Sequence, residues 1–590
     1  MKSIKELKET GMVSNNITAA LINSDGSVEW MPMPRFDSSP VFCSILDDKV
    51  GGKCTVGVGD LRGKQEYIAP NILKTVFKSK DAESSVTDFL IPVKPMLIRE
   101  IKSDVEMNVN ILPTFNYGKC AGTAEKRDNS IVFRNPQGKD FLEVIFDSLE
   151  VKSKSLSEFT VNGFGQIRLE YFIDEAHKEN ETKVAQSSSP SQSLDHSLKY
   201  WEGMLPPDGI MGLPDGPIEI PQNVLLLYQR SLSVMLGLMY SPSGSIIAAP
   251  TTSLPESIGK QWNWDYRYSW VRDSSMMAEA LIKSGMVVHG RRIIEFFLGL
   301  INYSGKPFIP FYGVGGTRPD HERQIPWLSG LMNSKPVRVG NHAEEQIQLD
   351  AEGEFMNALT AYYKATKDKV FIKVNWRAVE QIASWINSNW ELDDNGPWEE
   401  PFRQNFTYSK VLMWVALDCA EYLGNEIGVD VTEIKSNKEK IKAWIIDNCI
   451  KKGVIVKHSF TDDIDAALLV LPLHGFIDVD SDVFKKTLKK IETDLTDKGL
   501  VYRYKLQEKD RPNHPFVLCS SWLSRVYTLL GRQEDALAVL EKIADSCGPL
   551  KLLGENIDSK NSMFLGNFPQ GFAHAGVVMA LKDIYDKANK

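Results

Sequence analysis

Two carboxylates and a cluster of aromatic and basic side chains are the residues here that can do chemistry. In DDNGPWEEPF, residues 393–402, Trp398, Glu399 and Glu400 lie between Pro397 and Pro401. The two prolines remove backbone donors and fix φ, so the segment reads as a loop and not as helix interior. A carboxylate beside an aromatic face in a loop is partly withdrawn from water and can hold a proton near neutral pH. A solvated acidic turn would give the same string. A second stretch, QWNWDYRYSWVRD at residues 261–273, interleaves Trp262, Trp264, Tyr266, Tyr268 and Trp270 with Asp265, Arg267, Arg272 and Asp273. Aromatic faces suit the C–H faces of sugar rings, and Asp and Arg suit their hydroxyls; an aromatic core segment with internal ion pairs is the alternative. Arg503 follows in VYRY, and Glu555 in LLGENIDS, ahead of LGNFPQ. Glu399 and Glu555 come from different segments. Two opposed carboxylates are the minimal equipment for glycoside hydrolysis, one protonating the leaving oxygen and the other acting on water or attacking the sugar.

Such residues need a scaffold. Residues 1–185 contain short alternating runs, GSVEWMPM, KCTVGVG, SIVFRN, DFLEVIFDS and QIRLEYFI, split by Gly, Asn and Asp turns. That pattern predicts an antiparallel β-sandwich. The serine-rich ETKVAQSSSPSQSLDHS, residues 181–197, marks a linker, taken as residues 186–220. From residue 221 to 590 the periodicity becomes helical, with apolar residues three and four apart in QNVLLLYQRSLSVMLGLMY and EQIQLDAEGEFMNALTAYYKA, read as core stripes. Twelve helices are expected near 222–240, 269–284, 288–301, 344–366, 375–389, 405–423, 433–449, 463–471, 482–495, 515–530, 533–546 and 570–584. Connections after the odd-numbered helices are long and those after the even-numbered ones short. If successive helices run antiparallel, every long loop falls at one end. That is an (α/α)6 barrel with one functional rim, and the rim carries the residues named above.

Composition limits the alternatives. The 590 residues are 43% hydrophobic and 25% charged, with net charge -9, which disfavours nucleic acid and anionic membrane as partners. The seven cysteines, Cys43, Cys54, Cys120, Cys419, Cys449, Cys519 and Cys547, are scattered, as are the nine histidines. Free thiols in a reducing compartment are expected, with no metal site. MKSIKELKETGMV reads as neither signal peptide nor anchor, and no run approaches the roughly 18 apolar residues of a membrane span. A cytoplasmic protein is the expectation, with homo-oligomerisation left open.

In order, WNWDYRYSWVRD, PVRVGN, GPWEE, FTYSK, GLVYRY and LGNFPQGFAHAG resemble glycoside hydrolase family 15, which contains glucoamylases, glucodextranases and microbial trehalases. GMVSNNITAALINSDGSVEWMPMPRFDSSPVF resembles the opening of its trehalase-like branch, and AAPTTSLPES belongs to the same pattern. The resemblance implies the architecture already read and, position by position, Glu399 as general acid and Glu555 as general base of an inverting, exo-acting α-glucoside hydrolase that releases β-glucose. It implies carboxyls about 6.5–9.5 Å apart, and a raised pKa for Glu399, aided by Trp398 through desolvation and by Glu400 through like charge or as a substrate contact. Arg272 and Asp273 match a pair that grips the terminal glucose, Tyr266 a tyrosine near the attacking water, Trp270 an aromatic wall, Arg503 a substrate-binding arginine, and Arg338 a group at the leaving-group side. The chain departs from the pattern at Ala351–Glu352 and Asn513–His514. A trehalase acting on a small α-glucoside without cofactor is the first expectation. A glucoamylase on maltooligosaccharides is the alternative, a disaccharide phosphorylase more distant, and a non-catalytic sugar-binding protein, with Glu399 paired to Arg403, the last.

Overall fold

The computed structural model describes residues 7–79, 82–184, 190–206, 213, 216, 218–304, 308–505 and 514–589. The five alternating runs all form strands, within Val28–Pro32, Lys53–Gly57, Ser130–Arg134, Phe141–Asp147 and Glu158–Phe172. Thr10–Ser14, Ala19–Asn23, Val28–Pro32 and Pro40–Phe42 make a four-stranded antiparallel sheet in chain order. A ten-stranded antiparallel sheet is built around two long partners, Met96–Leu112 and Glu158–Phe172. The first sheet is buried along its whole length, whereas the long strands alternate buried and exposed residues, as a sheet with one wet face must. Inside it, Arg99 pairs fully buried with Asp88, Nε to Oδ1 at 2.7 Å, and also donates to the Gly26 carbonyl. Those bonds satisfy a charge that would be costly alone.

The stretch read as a linker is not featureless. Helix Glu175–Val184 ends just before it, and helix Pro190–Gly203 lies within it. In the second, Leu194, Leu198 and Trp201 at helical spacing dock onto the core, with Trp201 buried. The serines around them masked that stripe.

Twelve helical segments follow among the described residues: Gln222–Leu238, Val271–Lys283, Val287–Ser304, Ala351–Thr366, Lys369–Asn389, Thr407–Ile427, Thr432–Cys449, a 3₁₀ turn Ala466–Leu469 continued by Val470–Leu473, Asp482–Asp494, Val517–Leu529, Gln533–Ser546 and Gly571–Ala588. Long and short connections alternate as expected. The fourth helix starts at Ala351 and not 344: a 3₁₀ turn, His342–Glu345, comes first, and the amides of Ile347 and Leu349 donate to Asn395 and Asp394 instead of continuing it as helix. The fifth starts six residues early, where Asp368 caps the Phe371 amide at 2.9 Å.

The last helix closes the ring against Gln222–Leu238 and Val271–Lys283. His574 ties it in place. Its Nε2 accepts from the Leu553 amide at 3.1 Å, so Nδ1 carries the hydrogen donated to Ser231 Oγ at 2.8 Å. Burial, with Arg230 nearby, pushes this imidazole down to about 3, so it stays neutral.

The amino-terminal sheets pack onto the first rim loop. Trp30 Nε1 donates to the Pro250 carbonyl at 2.7 Å. Arg267, fully buried, forms a bidentate pair with Asp265 and donates to the Ser38 carbonyl and the Tyr117 hydroxyl. No described helix is long and apolar enough to cross a membrane.

Candidate active site

The rim loops enclose a cavity of about 270 Å³, near the lower end of small-ligand clefts. Its walls come from the loop and helix start between Ala248 and Met276, from His342, Pro397, Pro401, Tyr504, Phe516, Leu518 and Trp522, and from Gln570 and Phe572. Glu399 and Glu555 both line it, as do Tyr266, Trp270, Arg272, Asp273, Trp398 and Arg503.

Glu399 sits at the end of a tight turn. Its amide donates to the Gly396 carbonyl at 3.2 Å, and its φ is 53°. A left-handed backbone at a non-glycine residue costs about 1–3 kcal/mol and persists only where neighbours impose it. Here Asn395 accepts the Glu400 amide and donates to the Glu400 carbonyl, locking the turn. Gly396 (φ 65°) lies against Phe406, where a Cβ would meet the ring at 2.7 Å. Among the described residues every contact of the Glu399 carboxyl falls on Oε1: Trp270 Nε1 at 3.1 Å, Gln348 Nε2 at 3.1 Å and Arg272 Nη2 at 3.8 Å. Its ionic neighbour is therefore Arg272 and not Arg403. Arg272 in turn donates to Asp350 at 2.9 Å and Gln348 at 2.7 Å. Asp273, in the first turn of Val271–Lys283, is pushed up to about 7 by burial and Glu399, against the pull of Arg272.

Glu555 comes from another loop, just ahead of the hairpin Asn556–Asp558 and Met563–Leu565. It is 3% exposed. Tyr266 donates its hydroxyl at 3.3 Å to Oε2. Burial, and next Glu256, hold its pKa well above the ordinary carboxylate range, while Arg503 and Tyr266 pull it down. Gly566 makes room for it: φ is 89°, and a Cβ there would lie 2.7 Å from Glu555 Cγ. The carboxylates are linked through an aromatic pair. Trp270, stacked on Phe311 at 4.2 Å, touches Glu399, and Tyr266, edge-on to Trp270 at 5.6 Å, touches Glu555.

Arg338 and Glu400 are not cavity-lining residues. Arg338 Nη1 donates to the carbonyls of Gln261 and Asn263, its Nε donates to Glu322, and its guanidinium lies 4.3 Å from the Trp264 ring. It holds the Trp262–Trp264 wall from behind. The Glu400 side chain is buried with Lys457 at 4.0 Å, so it does not reach the substrate space. Trp398 spends its N–H on Asp465 at 2.9 Å and packs against Phe516 and Trp522. The Glu399 carboxyl thus takes its contacts from Trp270, Gln348 and Arg272, residues distant in the chain. Asn513 lies outside the described residues; His514 adjoins Arg503 and Glu256 electrostatically.

Three groups escaped the sequence reading. Gln348 and Asp350, which seat Arg272, fell inside a string read as helical core. Their signal was polarity ahead of the apolar stripe. His342, 4.8 Å from Trp264, gave none. Glu256 lines the cavity and accepts from Arg503 Nη2 at 2.7 Å; it was visible only as part of AAPTTSLPES. Outside the cavity, His321, Glu344 and Glu345 bring donor atoms within 4.8 Å of one another, an exposed imidazole paired with two carboxylates.

The family model of glycosyl hydrolases family 15 matches residues 223–582, and that of a trehalase-like N-terminal domain matches residues 2–137. Trehalase 1 of Sulfolobus acidocaldarius is 41% identical over 583 residues, 98% of this chain and 99% of that protein. A trehalase of Thermoplasma volcanium is 28% identical over 602 residues, covering 96% and 92%. Among solved structures, a bacterial glucoamylase complexed with acarbose superposes with a TM-score of 0.68 at 13% identity, covering 98% of this chain and 94% of that one. This last likeness speaks to the fold alone.

Proposed function

Because the chain belongs to glycosyl hydrolases family 15 and is on that ground an O-glycosyl hydrolase, we propose that it is a trehalase, cleaving α,α-trehalose to two glucose molecules with inversion at the attacked carbon. The observation that carries the reading is the pair of carboxylates, Glu399 and Glu555, lining one sugar-sized hollow and joined through Trp270 and Tyr266. The 41% identity over nearly the full length to a protein named a trehalase supports the choice of substrate.

In the proposed mechanism Arg272 and Asp273 hold hydroxyls of the glucose to be released, while aromatic side chains shield the bond from bulk water. Glu399, its Oε1 fixed by Trp270 and Gln348, gives a proton from Oε2 to the bridging oxygen as the C1–O bond breaks. Water attacks C1 from the other face and passes its proton to ionised Glu555. Tyr266 orients that carboxylate. The attacked glucose leaves as the β anomer, and the leaving glucose keeps its α configuration. A phosphorylase needs no carboxylate where Glu555 stands, so this residue favours hydrolysis. The seven free cysteines, six of them buried, agree with a reducing compartment, the cytoplasm.

Proton NMR during the first minutes of turnover tests the reaction: equal amounts of β- and α-glucose from trehalose are expected, whereas two α-glucose molecules would mean retention. Faster glucose release from maltotriose than from trehalose would replace trehalase by glucoamylase. Glu399→Gln and Glu555→Gln should each lower kcat by about a thousandfold or more with substrate still bound. Near wild-type turnover in either variant would remove that residue from the mechanism.

A further inference from the structure

Glu256 is a buried carboxylate that the proposed mechanism does not use. Its place in the cavity is nonetheless built. Its amide donates to the Trp262 carbonyl at 3.0 Å, and its side chain, 4% exposed, takes Arg503 as partner at 2.7 Å. The residue before it, Pro255, accepts from the Gly566 amide at 2.9 Å, and Gly566 is the residue against which Glu555 Cγ packs. Leu254 and Thr251 are tied to Asn567 in the same way. The loop carrying Glu256 is therefore stitched to the hairpin that follows Glu555. Two carboxylates in this dry corner face one guanidinium, and the direct hydrogen bond from that guanidinium goes to Glu256.

Two buried carboxylates against one guanidinium favour keeping one proton on the pair. The guanidinium of Arg503 bonds directly to Glu256, so Glu555 is the carboxyl of the two on which the proton is more easily kept. The other groups facing Glu555 are Tyr266, Asp273 across the cavity and Arg503, with Glu399 beyond Tyr266 and His514 beside Arg503. Of the two carboxylates that act on Glu555, Glu256 acts more strongly than Asp273.

We infer that Glu256 is a positioning residue for the base: it holds Arg503 as its own counter-ion, leaves Glu555 as the member of the pair that takes up a proton as pH falls, and so sets the lower pH limit of hydrolysis. Below that limit Glu555 is neutral and accepts no proton from water; above it the base is ready. The inference rests on the proposed roles of Glu399 and Glu555.

The test is the pH dependence of kcat/KM for trehalose in the full chain carrying Glu256→Gln, beside Glu256→Asp. Gln keeps an oxygen for Arg503 but loses the charge, so the acidic limb should move down by about one pH unit. Asp keeps the charge and should keep the limb. An unmoved or raised limb in Glu256→Gln, or the same displacement in both variants, would overturn the inference. A second readout does not need turnover. In protein labelled at the glutamate carboxyl carbon, the Glu555 resonance is identified by its loss in Glu555→Gln, and its titration midpoint should fall in Glu256→Gln. If Glu256→Gln abolishes turnover, that midpoint decides alone, a fall supporting the inference and constancy ending it. A wild-type protein that cleaves neither trehalose nor maltotriose would remove the proposed function and still leave the carboxyl titration to judge Glu256.

Discussion

Glu399 takes its contacts on one oxygen, and the two neutral donors there come from residues far away in the chain, Trp270 and Gln348. Removing one should misorient the acid without emptying the cavity. Trp270→Phe keeps the stack on Phe311 but deletes the N–H. A hydrogen bond to a charged group is worth about 1.5–3 kcal/mol, so kcat should fall about 10–100-fold with KM little changed. A KM effect alone would show the indole to be a wall and not an orienter. The sequence made Glu399 and Glu555 visible because glutamates among prolines, glycines and aromatics stand out from helical periodicity. It hid Glu256 because that residue's meaning is its bond to Arg503, a partner 247 positions away. It mis-set Glu400 because adjacency in a turn says nothing of side-chain direction. With φ at 53° in Glu399, its neighbour points to Lys457.

At the scale of elements, helix Ala351–Thr366 begins with two buried acids. Burial raises Glu352 to about 8, and Glu354, hydrogen-bonded by Tyr408, also to about 8. A carboxyl whose folded pKa exceeds its unfolded value binds more protons in the folded state. Its contribution is then present at low pH and lost as pH rises through the folded value. Glu352→Gln, neutral at every pH, should therefore flatten the fall in melting temperature between about pH 5 and pH 8, gaining on the wild type at the alkaline end. Parallel profiles for the two proteins would show Glu352 to be ionised in the fold. Helices of this kind were legible from apolar residues three and four apart, and the alternation of connection lengths gave the barrel. Their ends were less legible. The start at Ala351 depends on Asn395 and Asp394 taking the amides of Ile347 and Leu349, bonds that cross between rim loops. Helix Pro190–Gly203 was missed because serines diluted its stripe.

For the whole molecule, the two parts share Arg267. Its guanidinium joins Asp265 of the rim to Ser38 and Tyr117 of the sheets without contact with water. Arg267→Met would leave Asp265 buried and uncompensated, at a cost of about 3–5 kcal/mol in denaturant unfolding. A loss below about 1 kcal/mol would mean that Asp265 is served well enough by the Gly340 amide. Sequence patterning separated the β part from the helical part. It was silent on their contact, because a tryptophan such as Trp30 and an arginine such as Arg267 each read locally as core or surface. Only folding brings them to one seam.

The hairpin that follows Glu555 and the helix that seals the ring leave the ribosome long after Glu399 and the turn that strains it. On the proposed roles, a nascent polypeptide carries its proton donor while the proton acceptor is still unmade. Prematurely released fragments ending before Glu555 are thus catalytically mute, and sugar cleavage switches on only with the last rim loop, when Pro255 meets Gly566 and Gly571 meets Ala248.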